Sequence, residues 1–304
     1  MRSALAAALA AIFTLGPAVS AGAQQQNLEN VQVRVQPVQG NVYLLAGAGG
    51  NITLQIGRDG VLMVDTEFGP LAQKIMTEVR KLSKGPIRYI INTHVHPDHV
   101  GGNEELAKLI PQSPQQPLKI IGHENVLNRL TGLQGGLPTD EYFTPTKDLH
   151  FNGEAIIIYH EPKAHTDGDS AVLFRGSDVV SAGDVFTPDS YPFLDLERGG
   201  SIQGEIAALN HILQLTVPAK TQEGGTYVIP GHGRICDEAD VVEYRDMVVI
   251  IRDRIQDLVK KGMTLQQIKA ARLTRDYVTR YLSSNSFVTA DGFVEAIYYG
   301  LTQK

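Results

Sequence analysis

The stretch "THVHPDH" at residues 93–99 places three of the chain's nine histidines and an aspartate next to one another. It directly follows "IRYII", an apolar run with the composition of a buried strand. His94 and His96 alternate around Val95, so an extended backbone would point both side chains the same way. No packing requirement explains so many ionisable groups in one loop, and groups this close need a cation to hold them together. The motif therefore predicts a metal-binding loop at the end of a strand.

Three further polar groups follow apolar strands later in the chain: His165 after "IIIYHEPKA", Asp184 after "DVVSAG" and His232 after "YVIPG". Ligand-binding groups of layered α/β folds collect at strand ends, where loops are free of the sheet. Imidazole nitrogens and carboxylate oxygens are ligands that zinc accepts. The combined set exceeds what one tetrahedral ion needs and would serve two ions: His94, His96, Asp98, His99, His165, Asp184 and His232.

The order of apolar patterns predicts two sheet-rich halves covered by helices. Alternating stretches such as "VQVRV" and "NITLQIG" indicate antiparallel strands, after which strands and helices alternate. A long amphipathic helix follows from Glu238 and ends near Lys260, Lys261 and Gly262. The fold class is therefore a layered α/β sandwich. The irregular stretch 131–148 is either a functional loop or a surface excursion, and its "DEYF" segment is a candidate lid.

The first 23 residues read as a cleaved secretory signal, because Arg2 precedes a short apolar run that ends in Ala21-Gly22-Ala23. We therefore expect a periplasmic or secreted protein formed by residues 24–304. No later segment has the ~20 apolar residues that a membrane span needs. Without Arg2, 26 basic residues face 33 acidic ones, which argues against a nucleic-acid partner. The single cysteine, Cys236, excludes an internal disulfide and is expected to be buried.

As a set, these motifs resemble those of the metallo-β-lactamase superfamily: HxHxDH at 94–99, "AHTDGD", "SAGD" and "PGHG", in that order. The resemblance covers most of residues 38–235 and implies a four-layer αββα sandwich, with residues 237–304 as a helical C-terminal part. It implies that His94, His96 and His165 bind a first zinc ion and that Asp98, His99 and His232 bind a second. Asp184 would bridge both ions, and Asp65 of "VDT" would support the loop from behind.

The function implied by this resemblance is hydrolysis of a small-molecule acyl substrate, an ester, thioester, lactone or β-lactam, by a metal-bound hydroxide. Two ions lower the pKa of a shared water to near 7, and Asp98 would orient that nucleophile. The best-known β-lactamases of the family carry Cys or Ser near the position of Asp184, whereas a bridging aspartate is typical of its thioesterases and lactonases. Two alternatives stay open: an iron-dependent oxidoreductase of the same fold, resembling persulfide dioxygenases, and a non-catalytic periplasmic metal-binding module. The sequence makes no prediction of oligomeric state.

Several residues outside the motifs have weaker assignments. Thr187, Tyr191 and Ser201 follow Asp184 and are candidates to face the metals, and Arg198 is either a substrate-carboxylate ligand or an exposed arginine. His123 is expected to cap or pack against a helix. His160, five positions before His165, is a candidate to support the site from behind but is not counted among the site residues. Gly101, Gly102, Gly231 and Gly233 would allow close backbone approach to the site.

Overall fold

The computed structural model describes residues 28–132, 135–222, 224–281 and 287–302. The predicted signal segment, residues 1–23, lies outside these ranges. Within them, no helix has the length and apolar character that crossing a bilayer would require.

The first sheet contains the strands of the N-terminal half in sequence order. Its first four strands are antiparallel neighbours, and its last four are parallel neighbours. Parallel strands bring their carboxyl ends to the same edge of a sheet. The strands are β1 (Arg34–Gln39), β2 (Val42–Ala46), β3 (Ile52–Gly57), β4 (Gly60–Val64), β5 (Ile87–Ile91), β6 (Lys119–His123) and β7 (Asp140–Tyr142).

The second sheet has the order β13-β12-β11-β10-β9-β8, and only its β11–β12 pair is parallel among the described strands. Its strands are β8 (Thr146–Phe151), β9 (Glu154–Glu161), β10 (Asp169–Phe174), β11 (Val179–Ser181), β12 (Tyr227–Ile229) and β13 (Cys236–Asp237). Cys236 is buried, as predicted.

Helices lie on the outer faces of both sheets and in the connections between strands. They are α1 (Ala72–Leu82), α2 (Pro97–Val100), α3 (Asn103–Leu109), α4 (Glu124–Leu130), α5 (Ile202–Leu215), α6 (Glu238–Lys260), α7 (Leu265–Ala270), α8 (Val278–Tyr281) and α9 (Ala290–Thr302). Short 3₁₀ helices span Leu28–Asn30, Gly69–Leu71, Gly183–Val185 and Leu196–Arg198.

Three apolar clusters hold the layers together. Residues such as Val64 and Ile91 of the first sheet pack against Ile158 and Val172 of the second. A second cluster lies between the first sheet and helices α1 and α3, and a third joins the second sheet to α5, α6 and α9. This arrangement confirms the predicted αββα sandwich with C-terminal helices, because each sheet buries one face against the other sheet and one against helices.

The stretch 131–148 is more regular than its sequence indicated. It contains β7, which pairs with β6, and the first residues of β8. Tyr142 of the candidate lid is buried, and its hydroxyl lies 2.7 Å from Ser170 Oγ. Because this side chain is part of the core, the lid interpretation of the tyrosine is wrong. The strand itself was not predicted, because three residues are too few to give a periodic pattern.

The capping role of His123 is confirmed, because its Nδ1 accepts a hydrogen bond from the amide of Asn125 at the start of α4.

Glu205 of α5 is fully buried, and neither of its carboxylate oxygens has a hydrogen-bond partner among the described residues. Burial, reinforced by the charges of Asp169 and Asp184, raises the pKa of this carboxyl well above its usual value. The unfolded chain therefore releases the Glu205 proton at a lower pH than the folded chain does. It follows that Glu205 lowers the free energy of unfolding progressively as the pH rises above the ordinary glutamic acid range.

We expect Glu205→Met to increase the free energy of unfolding at pH 7.5 by about 1–3 kcal/mol, because it removes a buried carboxyl without a partner. The gain should shrink as the pH is lowered towards 5, and Glu205→Gln should lack the pH dependence of the native chain. Urea unfolding of the native, Glu205→Met and Glu205→Gln proteins, freed of metal by a chelator, measures the gain in stability and its pH dependence between pH 5 and 8. A gain that is the same at every pH would mean that Glu205 does not titrate in this range.

Candidate metal centre

The loop that follows β5 is fixed in place by Asp65, the residue after β4. Asp65 Oδ1 accepts a hydrogen bond from the Thr93 amide at 2.8 Å, and its Oδ2 accepts from Thr93 Oγ1 at 2.7 Å and from His99 Nδ1 at 2.8 Å. Asp65 has a φ of 65°, a left-handed conformation that aspartate tolerates better than most residues. Because β4 and β5 are parallel neighbours, their ends meet at one edge, and Asp65 can hold the histidine loop from beneath.

The remaining candidate residues reach the same place from the second sheet. His165 lies between β9 and β10, Asp184 lies in the 3₁₀ helix after β11, and His232 lies after β12. Gly231 allows this approach, because a Cβ at its position would lie 1.9 Å from Asp184 Oδ1. A side chain there would displace the aspartate, which agrees with the close approach predicted for Gly231.

The structure divides the seven residues into two groups, each with ligand atoms within 4.8 Å of one another. The first cluster is His94, His96, His165 and Asp184, and the second cluster is Asp98, His99 and His232. In the first cluster His96 Nδ1 lies 2.8 Å from His165 Nε2. In the second, His99 Nε2 lies 3.3 Å from His232 Nε2, and Asp98 Oδ2 lies 3.2 Å from the same His232 nitrogen. All seven predicted residues thus come together, while their role as ligands stays a prediction.

Asp184 lies between the two clusters and turns one oxygen to each. Its Oδ2 is 3.8 Å from His94 Nε2 and 3.7 Å from His165 Nε2. Its Oδ1 is 3.2 Å from His99 Nε2 and 3.5 Å from His232 Nε2. One carboxylate therefore faces both groups of histidines.

The donor set fits divalent cations. His94 Nε2 is buried and has no hydrogen-bond partner among the described residues, although unpaired buried polar atoms are rare. The other ring nitrogen of His96, Nε2, donates a hydrogen bond to Asp195 Oδ2, and His165 Nδ1 donates one to the Phe193 carbonyl. When these imidazoles are neutral, two lone pairs therefore face each other at 2.8 Å, an arrangement that a cation would stabilise.

The electrostatics of the two clusters differ. Burial, with the neighbouring histidines, lowers the pKa of His94 well below its usual value, and burial lowers that of His165 to about 4. Burial acts in the same direction on His99 and His232, but the Asp184 carboxylate outweighs it and raises the pKa of His232 to about 9 and that of His99 well above normal. His94 and His165 therefore present neutral imidazoles, the form that binds metal, and cations at the second cluster would displace protons.

A family model described as the metallo-beta-lactamase superfamily matches residues 35–232, which include both clusters. The chain belongs to the metallo-β-lactamase superfamily. The matched region begins in β1 and ends at His232, so the superfamily core supplies every candidate ligand.

Similarity to characterised members of the superfamily is local. The chain is 32% identical over 102 residues to a hydroxyacylglutathione hydrolase of Crocosphaera subtropica, covering 33% of this chain and 35% of that protein. It is 26% identical over 136 residues to the cytoplasmic hydroxyacylglutathione hydrolase of Arabidopsis thaliana, covering 42% and 47%. It is 44% identical over 80 residues to a linear primary-alkylsulfatase of Pseudomonas sp., covering 26% and 15%. The match spans less than half the length of each relative, but these superfamily members are hydrolases.

Solved structures share the fold at low sequence identity. The sec-alkylsulfatase Pisa1 from Pseudomonas sp. aligns with a TM-score of 0.65 and 16% identity, over 88% of this chain and 50% of that one. The DIM-1 metallo-β-lactamase aligns with a TM-score of 0.57 and 17% identity, over 72% of this chain and 98% of that one. The larger coverage by the alkylsulfatase means that the shared fold extends beyond the part found in the β-lactamase.

Two residues that contact histidines of the first cluster were not predicted from the sequence. Asp195 Oδ2 accepts a hydrogen bond from His96 Nε2 at 2.8 Å, and the carbonyl of Phe193 accepts one from His165 Nδ1 at 2.5 Å. Both therefore decide which imidazole nitrogen faces the first cluster. The segment "FLDLERGG" carries no metal-binding pattern of its own, and 99 residues separate Asp195 from His96, so no local signal was available.

The weaker assignments near Asp184 are largely overturned. Thr187 is buried against the Tyr244 hydroxyl at 3.1 Å, Tyr191 is buried with its hydroxyl 3.3 Å from the Thr274 carbonyl, and Ser201 caps α5. Their hydroxyls thus serve packing and capping, and the expectation that they face the metals is wrong.

Arg198 is half-exposed and pairs with Asp195 at 2.8 Å, in agreement with the exposed alternative. His160 stacks on His123 with ring centroids 3.6 Å apart, and its Nε2 bonds to the Asp167 carbonyl. These contacts involve none of the candidate ligands.

Asp195→Asn is expected to weaken metal binding at the first cluster about 10-fold, because an amide cannot accept from His96 as strongly as a carboxylate does. The second cluster should be unaffected. Competition with a chromophoric chelator measures the two affinities. Asp140→Asn is the control, since that carboxylate pairs with Lys119 and Lys147 and with no histidine. Equal affinities in Asp195→Asn and the native chain would contradict the assigned role.

Proposed function

We propose that this protein is a dinuclear zinc-dependent hydrolase that cleaves an acyl bond in a small-molecule ester, thioester, lactone or β-lactam. The observation that carries the proposal is the position of Asp184, whose two oxygens each face a different histidine cluster at 3.2–3.8 Å. A single ion would need only one of these groups. A carboxylate shared between two groups of imidazoles is the arrangement expected for a two-metal site.

In this proposal His94, His96 and His165 hold the first ion, Asp98, His99 and His232 hold the second, and Asp184 binds both. When bound, the ions would supply a water acidified to near neutral pH and a positive charge that polarises the substrate carbonyl. Asp65 and Asp195 keep His99 and His96 in the orientation that this binding requires, through the 2.8 Å hydrogen bonds described above.

Asp98 is the residue to which we assign proton transfer. Its side chain is 27% exposed, so water reaches it, whereas His99 beside it is fully buried. In the metal-free chain burial opposes ionisation, but His232 and His99 outweigh it and lower the pKa of Asp98 below its usual value. A cation at the second cluster would favour the ionised carboxylate in place of the histidine protons. The ionised carboxylate accepts a proton from the attacking water. The water oxygen bonds to the carbonyl carbon, the bond to the leaving group breaks, and the proton passes to that group.

We also propose that the protein acts outside the cytoplasm, in the periplasm or after secretion. The charged, apolar and small-residue regions of segment 1–23 support this location.

A sulfate ester is a second candidate substrate. The 44% identity over 80 residues to a linear primary-alkylsulfatase supports it, as does the coverage of 88% of the chain by the sec-alkylsulfatase fold. The thioester candidate is supported by the similarity to hydroxyacylglutathione hydrolases.

The test combines metal analysis with a substrate panel. We expect two zinc ions per chain after loading, and turnover of at least one ester, thioester, lactone, β-lactam or alkyl sulfate. His96→Ala should abolish this turnover, whereas His150→Ala is a matched control because His150 lies exposed on β8. One iron per chain after native purification, with no hydrolysis, would favour the oxidoreductase. Metal binding without turnover of any panel member would favour a non-catalytic module.

A further inference from the structure

Two aromatic side chains form an exposed apolar surface beside the first cluster. We call Phe193 and Phe287 the apolar wall; they are 37% and 83% exposed, and their rings are in contact. Soluble proteins seldom leave adjoining large apolar side chains in water unless the surface binds something. The wall is therefore a candidate recognition surface.

The wall is fixed relative to the candidate ligands. The Phe193 ring stacks on that of His96 with centroids 5.7 Å apart and lies 5.6 Å from that of His165. The Phe193 carbonyl also accepts the hydrogen bond from His165 Nδ1. Among the described aromatic contacts, Phe193 meets histidines of the first cluster and none of the second. A molecule reacting at the first cluster would therefore lie against this ring.

Phe287 extends the wall from a different part of the chain. Its ring meets the Phe193 ring edge-on, with centroids 5.1 Å apart. The segment that carries it leads into α9, which is anchored in the core by Phe293, Val294 and Ile297. The C-terminal helices thereby place an aromatic side chain next to a site whose candidate ligands all come from the superfamily core.

The charges around the wall favour an uncharged occupant. Among the described residues, no lysine or arginine lies over either phenylalanine ring. The nearest arginine in sequence, Arg198, is paired with Asp195. Aromatic rings contribute apolar area and edge-to-face contacts to a bound group. An aromatic or alkyl group fits these surroundings better than a carboxylate or phosphate.

We propose that Phe193 and Phe287 bind an aromatic or alkyl acyl group of the substrate and so make the enzyme selective for apolar acyl chains. The proposal rests on the proposed function. The acyl side is assigned because Asp98, to which we assign the proton that reaches the leaving group, belongs to the second cluster. The leaving group would then face the second cluster and the acyl chain the first, which the wall borders.

Binding can be tested without turnover. Acetate, hexanoate and 3-phenylpropionate are titrated into the zinc-loaded protein by calorimetry. We expect the native chain to bind 3-phenylpropionate about 10-fold more tightly than acetate, and Phe287→Ala to lose about 3- to 10-fold of that preference. Phe287→Leu should retain part of it. The matched control is Phe143→Ala, which removes a phenylalanine that is 73% exposed and has no aromatic contact with the site histidines.

The kinetic arm uses acyl esters or thioesters with one leaving group and acyl chains of increasing length. Phe287→Ala should lower kcat/KM about 3- to 10-fold for the hexanoyl and phenylpropionyl substrates and leave the acetyl substrate unchanged. Phe193→Leu should lower kcat/KM for the hexanoyl and phenylpropionyl substrates more than for the acetyl substrate. An equal loss for all chain lengths would mean that the phenylalanines only position the histidines, and would overturn the proposal.

The remaining outcomes separate this proposal from the proposed function. Hydrolysis without any preference for apolar chains contradicts the binding role of the apolar wall and leaves the proposed function intact. A preference for 3-phenylpropionate over acetate without any hydrolysis supports that binding role and contradicts the proposed function. If Phe287→Ala changes the oligomeric state in light scattering but not the preference, the wall is a contact between copies of the chain and the proposal fails.

Discussion

Replacing Asp184 by alanine is expected to lower kcat/KM for the best substrate by about 10⁴-fold or more, since it disables both clusters at once. Metal content should fall from two ions per chain to one at most. The reason is geometric, because Asp184 is the residue whose oxygens lie within 3.8 Å of both groups of histidines. Elemental analysis and steady-state kinetics on the same preparations measure the two effects.

Asp189→Ala is the matched control for this experiment. Asp189 is an exposed carboxylate five positions further along the same connection, outside both clusters. Its removal should leave metal content and turnover within about two-fold of the native values. An Asp184→Ala protein that retained two ions and a tenth of the native activity would exclude a bridging role for this residue.

Removal of Asp65 should produce the second large effect, even though the residue belongs to neither cluster. Asp65→Ala is expected to lower metal affinity about 10- to 100-fold, because His99 loses the acceptor that orients its ring. The metal-free protein should also lose about 3 kcal/mol of its free energy of unfolding, since the buried His99 is left without this charged partner. Chelator competition and urea unfolding measure the two quantities separately.

Asp59→Ala controls for the loss of a carboxylate near the same strand. Asp59 is exposed in the turn before β4 and accepts one hydrogen bond from the Asn152 amide. It should change stability by less than about 1 kcal/mol and metal affinity not at all. If Asp65→Ala behaved like Asp59→Ala, the histidine loop would be held by its own backbone and not by Asp65.

Local patterns predicted those parts of the fold that repeat a clear period. In "LAQKIMTEVRKL" the stripe of Leu71, Ile75, Val79 and Leu82 predicts a helix, and α1 lies there. The first three of these side chains are fully buried, whereas Leu82 at the end of the helix is 38% exposed. The apolar run "IRYII" became β5. The prediction failed in the stretch 131–148, where β7 is three residues long and depends on pairing with β6. Such a strand is held by its neighbour's backbone, so its own side chains need not alternate.

The amino-acid sequence alone determined the chemistry of the site: which side chains are offered, how they are spaced around Val95, and that they follow apolar strands. It could do so because strand burial and strand-end loops leave local patterns of apolar and polar residues. The tertiary structure alone decided that Asp184 faces two clusters, that Asp195 holds His96, and that Phe287 from the C-terminal part meets Phe193. These contacts join residues far apart in the chain, and their geometry is set by how the two sheets and their helices pack, which no local pattern encodes.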